Sequence, residues 1–288
     1  ALICAGVLLV AGWAGLYFMR PLIIPLLNRC WIGLGLVLIA SETVVALTAS
    51  QQWYRSVTLL FVLGVVPRLF LIHTAGDRDN FVAFKLMLEN VTNHGVAAAY
   101  AIDPIIGAYP PVHHYFLAIS GHIYRLLFSP EFDMSSMRLE FVMKLSTMVA
   151  DTVVAMSILL YGLRTAGAKS GLLARAAYFL NPGIIFVTAY HGQLCDPVYA
   201  LFLLWAVIGL LAGQGELAGG ATALAVLTKP QSSAFLPFLL LAALRHLPRR
   251  SLIRGIICGC VVSLLVLLPY LLAGTRTGRF LTVKTTIR

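Results

Sequence analysis

The sequence predicts an all-α protein, a polytopic transmembrane bundle of about nine or ten apolar helices. Of its 288 residues, 60% are hydrophobic and only 11% are charged, less than half the share of about 25% that soluble domains carry. Apolar runs recur along the chain, and a run of about 20 residues is long enough for a helix to cross the hydrocarbon core of a bilayer. A β-barrel would show short segments of alternating polarity instead.

Nine apolar runs are candidate spans, and a tenth, over 112–128, contains histidines and an arginine and could cross the membrane or lie in its interface. The nine cover residues 1–19, 31–48, 57–74, 139–163, 172–190, 198–211, 217–227, 234–244 and 252–272. We expect a single transmembrane domain over 1–288, in which 1–56 hold extra N-terminal spans. Because the chain begins at Ala1 and stops at Arg288 directly after a loop, it could be a fragment cut short at its C-terminus.

The basic residues set the expected orientation. The formal charge of +10, from 21 basic and 11 acidic residues, would suggest nucleic acid in a soluble protein, but here the positive-inside rule explains it, so we expect no nucleic-acid partner. The acid-free basic loops around 164–175 and 245–254 should be cytoplasmic. The long polar loop 75–110, after the third span, and residues 192–196 are then extracytoplasmic, and we expect a multi-pass integral protein of a bacterial-type plasma membrane.

Two polar motifs lie within the polar loop 75–110 or directly after it. Asp77 and Asp79 follow directly on a span, where paired carboxylates can act as a general base, as metal ligands or simply as a solvated loop. Tyr109 precedes two prolines that favour a helix start. His113 and His114 follow. Adjacent histidines point to different sides of a helix, so we expect no shared metal site, and single phosphate or hydroxyl contacts stay open.

Further polar motifs interrupt the later spans. Asn181-Pro182-Gly183 should kink the run 172–190, because proline removes a helical hydrogen bond. His191, Gln193 and Asp196 stand within six residues at its exit, although Asp196 before a proline is also an ordinary helix-start signal. Lys229, between two apolar runs, must face water or an anion, and phosphate is the natural anion.

Intramembrane acids form a separate group. Asp151 lies within the run 139–163, and ionisable residues inside a membrane normally face the protein interior. A structural ion pair with Arg68 or Lys144 and a direct functional role are both open interpretations. The same holds for Glu42 in the run 31–48.

In their order, these motifs resemble the GT-C superfamily of membrane glycosyltransferases, and most closely its dolichyl-phosphate-glucose-dependent glucosyltransferases and their bacterial relatives. The likeness covers roughly residues 57–272. Its departures are the two extra N-terminal spans and the insertion of Leu194 and Cys195 before Asp196. The segments that carry it are Gly76-Asp77, Ala108-Tyr109-Pro110-Pro111 with Tyr115, Lys144 to Asp151, Asn181-Pro182-Gly183, Gly192-Gln193 with Asp196, and Thr228-Lys229-Pro230-Gln231 before Pro237.

The resemblance implies inverting transfer of a hexose from a polyprenyl-phosphate-linked donor to the hydroxyl of an extracytoplasmic glycan, lipid or protein. It makes Asp77 the general base, with Asp79 as its neighbour or substitute. It implies no cofactor, and a divalent metal ion is compatible with the chemistry but not required. The implied substrate-binding residues are Lys229 with His113, His114 or His191 for the phosphate, Gln193 and Asp196 for sugar hydroxyls, and Tyr109 and Gln231 beside them.

Two other classes of function compete with this one. Broken helices carrying Lys229 and Asp151 could mark an ion path in a transporter, but the chain shows no inverted repeat, and a long polar segment favours an enzyme. A catalytically degenerate accessory subunit of a larger membrane complex is the other alternative.

Overall fold

The computed structural model describes residues 51–72, 78–101, 109–191 and 194–273, and all regular structure in these ranges is helical. The predicted spans 1–19 and 31–48, with Glu42, Asp77 and Gln193, lie outside the described residues. The helices in chain order are α1 (Gln51–Leu71), α2 (Arg78–His94), α3 (Pro111–Leu127), α4 (Met137–Ala166), α5 (Ala168–Phe179), α6 (Pro182–Ile185), α7 (Asp196–Leu211), α8 (Gly215–Thr228), α9 (Leu236–His246) and α10 (Arg249–Leu272). Short helical segments Val96–Ala101, Phe186–His191 and Pro230–Phe235 join them.

Two described helices, α4 and α10, are long and apolar enough to cross a membrane. Helix α5 and the segment Pro182–His191 pass the same test together but meet at a bend of 48°, so the predicted kink is present. Asn181 stabilises the restart, because its side chain accepts a 2.8 Å hydrogen bond from the backbone of Gly183. The all-helical class is therefore confirmed, with two or three helices able to span a membrane.

Several predicted spans form shorter helices. Helices α7, α8 and α9 have 16, 14 and 11 residues, so at about 1.5 Å per residue each is shorter than the roughly 30 Å hydrocarbon core. Glycine and proline end these runs early. The number of nine or ten crossings stays a prediction.

The predicted long polar loop 75–110 is wrong as a loop, because most of its described residues form α2 and the short helix Val96–Ala101. Phe81, Phe84, Leu88 and Val91 recur at helical spacing and are all buried, which is the pattern of an amphipathic helix. Charged residues between them hid this period. One of these, Lys85, binds Glu140 of α4 at 2.6 Å, which attaches α2 to the bundle.

The helices place the basic loops at one end of the bundle. Helices α4 and α7 run in the same direction, because Thr147 contacts the carbonyl of Leu194 and Trp205 donates a hydrogen bond to Ser157 further along. The turns that follow both helices therefore lie at the same end. Ser251, in the first turn of α10, hydrogen-bonds the carbonyl of Gly213 there. The predicted basic loops 164–175 and 245–254 are mostly helix ends joined by short turns. These two segments consequently share one end of the bundle, and the N-terminus of α7 lies at the other.

A buried ion pair joins α1 to α4. Arg68 donates to the carboxylate of Asp151 at 2.7 Å, and both side chains are 0% exposed. Arg68 also donates to the carbonyls of Gly64 and Phe179, and Tyr178 donates to the other carboxylate oxygen of Asp151 at 2.8 Å. Of the two structural partners considered for Asp151, the structure selects Arg68. A buried charge is tolerated only when it is paired in this way.

Glycines bring α8 and α10 into close contact. A Cβ atom built on Gly219 would lie 1.9 Å from the carbonyl oxygen of Gly255, and one on Gly215 would lie 1.9 Å from the carbonyl oxygen of Ser251. Gly215 and Gly219 are four residues apart, as are Ser251 and Gly255. Small residues at this spacing let membrane helices approach backbone to backbone.

Replacing Gly219 with alanine should therefore destabilise the bundle by about 1–3 kcal/mol, the usual cost of overpacking. Gly220 is the matched control, because its added Cβ would meet only side chains, with the sulfur of Cys258 at 3.3 Å and Cγ2 of Val262 at 3.6 Å. Both changes raise helix propensity equally, so the difference between them isolates the packing contact. Unfolding by sodium dodecyl sulfate in mixed micelles measures both variants, and equal stabilities would contradict the prediction.

Candidate functional site

Three separate segments of the chain meet at the end of the bundle opposite the basic loops. Lys229 donates a charge-assisted hydrogen bond to Asp196. The sulfur of Cys195 lies 3.3 Å from Nδ1 of His113, and the His113 ring is 5.0 Å from the ring of Tyr109. We call Tyr109, His113, Cys195, Asp196 and Lys229 the Lys229 cluster. The structure thus brings together Tyr109, Asp196 and Lys229, three of the site residues predicted from the sequence.

Prolines position each part of the cluster at a helix end. Pro111 starts α3, so that Tyr109 precedes the helix and His113 lies in its first turn. Pro197 lies in the first turn of α7 and places Asp196 at its start. Pro230 ends α8, which leaves Lys229 with an extended backbone at φ −149° and ψ 123°. Helix ends leave polar backbone groups unpaired, and polar side chains and ligands collect there.

His113 is held rigidly among aromatic rings. Its side chain is 2% exposed, and the ring of Phe84 packs edge-on against it at 5.1 Å. Burial, assisted by the neighbouring His114 and Lys229, lowers the pKa of His113 to about 3, so its imidazole is neutral at physiological pH. Among the described residues, no group hydrogen-bonds its Nε2 atom.

Lys229 carries a full positive charge at neutral pH. Burial lowers its pKa, but the hydrogen bond and the charge of Asp196 outweigh burial, so the pKa lies above its ordinary value. Burial and the nearby Cys195 and Asp196 raise the pKa of Tyr109 against the opposing effect of Lys229. Burial raises the pKa of Cys195 to about 12. The cluster therefore presents the Lys229 ammonium, paired with the Asp196 carboxylate, together with neutral phenol, thiol and imidazole groups that can donate hydrogen bonds.

His114 belongs to a different group of residues. Its Nδ1 atom lies 3.0 Å from the hydroxyl of Tyr270 on α10, and its ring is 4.9 Å from that of Tyr100. Tyr115 anchors the same helix end by donating to the carbonyl of Val266 at 3.0 Å. The two adjacent histidines thus diverge, as predicted, and His114 fastens α10 to α3 rather than joining the Lys229 cluster.

The positions of the other predicted site residues follow from the helical segments that carry them. Asp79 lies in the first turn of α2, five residues before Phe84, which is about 8 Å along the helix axis. Gln231 is exposed two residues after Lys229. His191 packs against the ring of Phe186 within its own helical segment, so that contact does not join it to the cluster. Asp77 and Gln193 precede α2 and α7 outside the described residues.

Sequence reasoning missed several residues of this region. Cys195 was treated as an insertion before Asp196, although its position beside an acid at a helix start could have marked it. Tyr199, whose ring lies 5.4 Å from the Lys229 ammonium, is one turn after Asp196 on α7 and could have been found by that spacing. Tyr270 gave no signal, because it is one aromatic residue in a long apolar run.

Comparison of the chain with protein-family models, curated proteins and solved structures finds no match. Within the described residues, no three His, Cys, Asp or Glu side chains are grouped closely enough to hold a metal ion. The cluster offers a lysine ammonium, paired with a carboxylate, and neutral donors on several helices. Groups of these kinds can contribute to binding an anion.

Proposed function

We propose that this protein is a membrane glycosyltransferase of the GT-C type, which transfers a hexose from a polyprenyl-phosphate donor to an acceptor hydroxyl with inversion. The observation that carries this proposal is the Lys229 cluster. Its members come from segments up to 120 residues apart and converge at the end of the bundle opposite the basic loops. Convergence of dispersed polar groups is typical of a ligand site between helices.

In the proposed reaction, the carboxylate of Asp77 takes the proton of the acceptor hydroxyl, with Asp79 as its neighbour or substitute. The acceptor oxygen forms a bond to the anomeric carbon while the bond from that carbon to the phosphate oxygen breaks, and the electron pair leaves with the phosphate. Lys229 binds this phosphate, together with His113 and Tyr109. A lysine has three N–H donors, so Lys229 can keep its bond to Asp196 while it binds phosphate.

Asp196 has a second use in this proposal. Its carboxylate has two oxygens and receives Lys229 at one of them, which leaves the other for a sugar hydroxyl. Gln193 and the exposed Gln231 would complete the contacts to the sugar, while His191 and His114 would have no direct part in binding the phosphate.

An apolar groove supports a lipid-linked donor. It lies between α7 and α9, has a volume of about 270 Å³, and is lined by Val207, Leu210, Phe235, Phe238 and their neighbours. Asp196 and Tyr199 lie on the same face of α7 as Val207 and Leu210, because spacings of three or four residues share a helix face. The nearest lining residue on α7, Val207, lies eleven residues after Asp196, about 16 Å along the helix. A long lipid chain whose polar head is bound at the cluster could span this distance.

The proposal extends to the number of membrane crossings and their orientation. We propose a polytopic bundle of nine or ten apolar helices in a bacterial-type plasma membrane, with the Lys229 cluster on the extracytoplasmic side. The support is that the two acid-free basic loops share the opposite end, since basic loops remain cytoplasmic.

We expect Lys229→Ala to weaken binding of the polyprenyl-phosphate sugar more than it slows transfer from bound donor. Loss of a charge-assisted hydrogen bond costs about 1.5–3 kcal/mol, which is roughly 10- to 150-fold in affinity. Lys169→Ala, an exposed change at the basic end, is the matched control and should leave affinity unchanged. Lys229→Arg keeps the charge, although its different geometry makes it an imperfect replacement. Unchanged donor affinity in Lys229→Ala would contradict the phosphate role.

The reaction itself is tested with a radiolabelled sugar on a polyprenyl-phosphate donor, incubated with the purified protein and membrane extract. Transfer of the label to an acceptor by the parent protein, and loss of this transfer when Asp77 is replaced, supports the enzymatic function. Donor binding without transfer would favour the accessory subunit, and absence of donor binding would overturn the proposed function.

A further inference from the structure

The contact between Cys195 and His113 lies inside the Lys229 cluster, but the proposed reaction gives Cys195 no role. Both side chains are buried, with exposures of 4% and 2%. The sulfur is 3.3 Å from Nδ1 of His113, and the rings of Phe84 and Tyr109 both pack against the imidazole. The imidazole is thus fixed in its orientation. Its tautomer depends on whether Cys195 donates or accepts the hydrogen bond at Nδ1.

The chemistry of the two groups decides which one donates. A thiol is a weak donor and its sulfur is a weak acceptor, whereas the unprotonated nitrogen of a neutral imidazole is a good acceptor. Burial keeps Cys195 in its thiol form, so an S–H proton is present at neutral pH. The favoured arrangement is therefore S–H donating to Nδ1, which leaves the imidazole proton on Nε2.

We propose that Cys195 is a positioning residue that holds His113 in the tautomer protonated on Nε2, so that Nε2–H becomes a second phosphate donor beside Lys229. The independent observation that points to a ligand is Nε2 itself, which is buried and has no hydrogen-bond partner among the described residues. A buried donor without a partner is costly, and a phosphate oxygen that reaches Nε2 would remove that cost. The contact between Nε2–H of His113 and a phosphate rests on the proposed function.

The tautomer is tested without any ligand. Nitrogen-15 NMR of the protein labelled at histidine distinguishes a protonated Nδ1 from a protonated Nε2, and loss of signals in His113→Gln assigns the residue. We expect Nε2 protonated in the parent protein and in Cys195→Ser, whose hydroxyl can also donate. In Cys195→Ala we expect a mixture or the other tautomer. Protonation at Nδ1 in the parent, or the same spectrum in Cys195→Ala, would overturn the positioning role.

The phosphate contact is tested by binding of a polyprenyl phosphate without a sugar. Cys195→Ala should weaken binding by about fivefold, the worth of one hydrogen bond, and Cys195→Ser should restore it. His113→Gln, which can place an amide N–H near the position of Nε2, should bind better than His113→Asn, whose amide lies near Nδ1. The double variant Cys195→Ala/His113→Asn should bind no worse than His113→Asn, since the two residues act as one unit.

The outcomes separate the inference from the function on which it rests. If Cys195→Ala binds as tightly as the parent, or if the losses in the double variant add, the positioning role is wrong while the phosphate site stands. If the parent binds no polyprenyl phosphate, the proposed function and the second-donor role both fail, and the spectra still decide the tautomer. Equal thermal stability of the Cys195 variants shows that their binding changes are local.

Discussion

Replacing Asp151 with alanine should reduce the free energy of unfolding by about 3–5 kcal/mol, the usual effect of removing one partner from a buried ion pair. Arg68 would keep its charge while 0% exposed, and the hydroxyl of Tyr178 would lose its acceptor. Because Arg68 also binds the carbonyl of Phe179, the loss should loosen the junction of α1, α4 and α5 together. Unfolding by sodium dodecyl sulfate in mixed micelles measures the effect.

The matched control for Asp151→Ala is Glu216→Ala. Glu216 pairs with Arg254 at 2.9 Å, but their side chains are 44% and 64% exposed, and exposed pairs contribute only about 0–1 kcal/mol. The double variant Arg68→Met/Asp151→Leu removes both buried charges and should be more stable than Asp151→Ala alone, because an apolar pair avoids the orphaned charge. If Asp151→Ala is no less stable than Glu216→Ala, the Arg68–Asp151 ion pair does not stabilise the junction of α1, α4 and α5.

Under the proposed function, Asp77→Asn should abolish sugar transfer while leaving donor binding nearly intact. Asparagine keeps the size of the side chain and can accept a hydrogen bond, but it cannot take a proton near neutral pH. Loss of a positioned general base lowers the rate by about 10²–10⁴. Turnover and binding of the polyprenyl-phosphate sugar are measured separately, so that a loss of chemistry is distinguished from a loss of substrate.

Asp79→Asn is the internal control, since it removes a carboxylate of the same size two residues away, in the first turn of α2. We expect a smaller effect, because Gly76-Asp77 matches the family motif better. Turnover of Asp77→Asn within a few-fold of the parent would show that the base assignment is wrong. If only Asp79→Asn is inactive, the two residues exchange roles and the mechanism stands.

The candidate site was predictable in part, because the prolines that place it act locally. Pro111, Pro197 and Pro230 fix where helices start or end, so Tyr109, Asp196 and Lys229 could be placed at helix ends before any tertiary contact was known. The same local reasoning gave the kink at Pro182. It failed for α2, because Lys85 and Glu89 interrupt the short apolar stripe that the fold buries.

The sequence by itself determined the all-helical class, since apolar content and helical period are properties of single segments. The tertiary structure alone decided the pairings: Asp151 with Arg68 rather than Lys144, Lys229 with Asp196, and Cys195 with His113. These partners are 83, 33 and 82 residues apart. A helical pattern reports which face of its own helix is apolar, whereas a pairing depends on which faces pack together, and that is settled by burying all the helices at once.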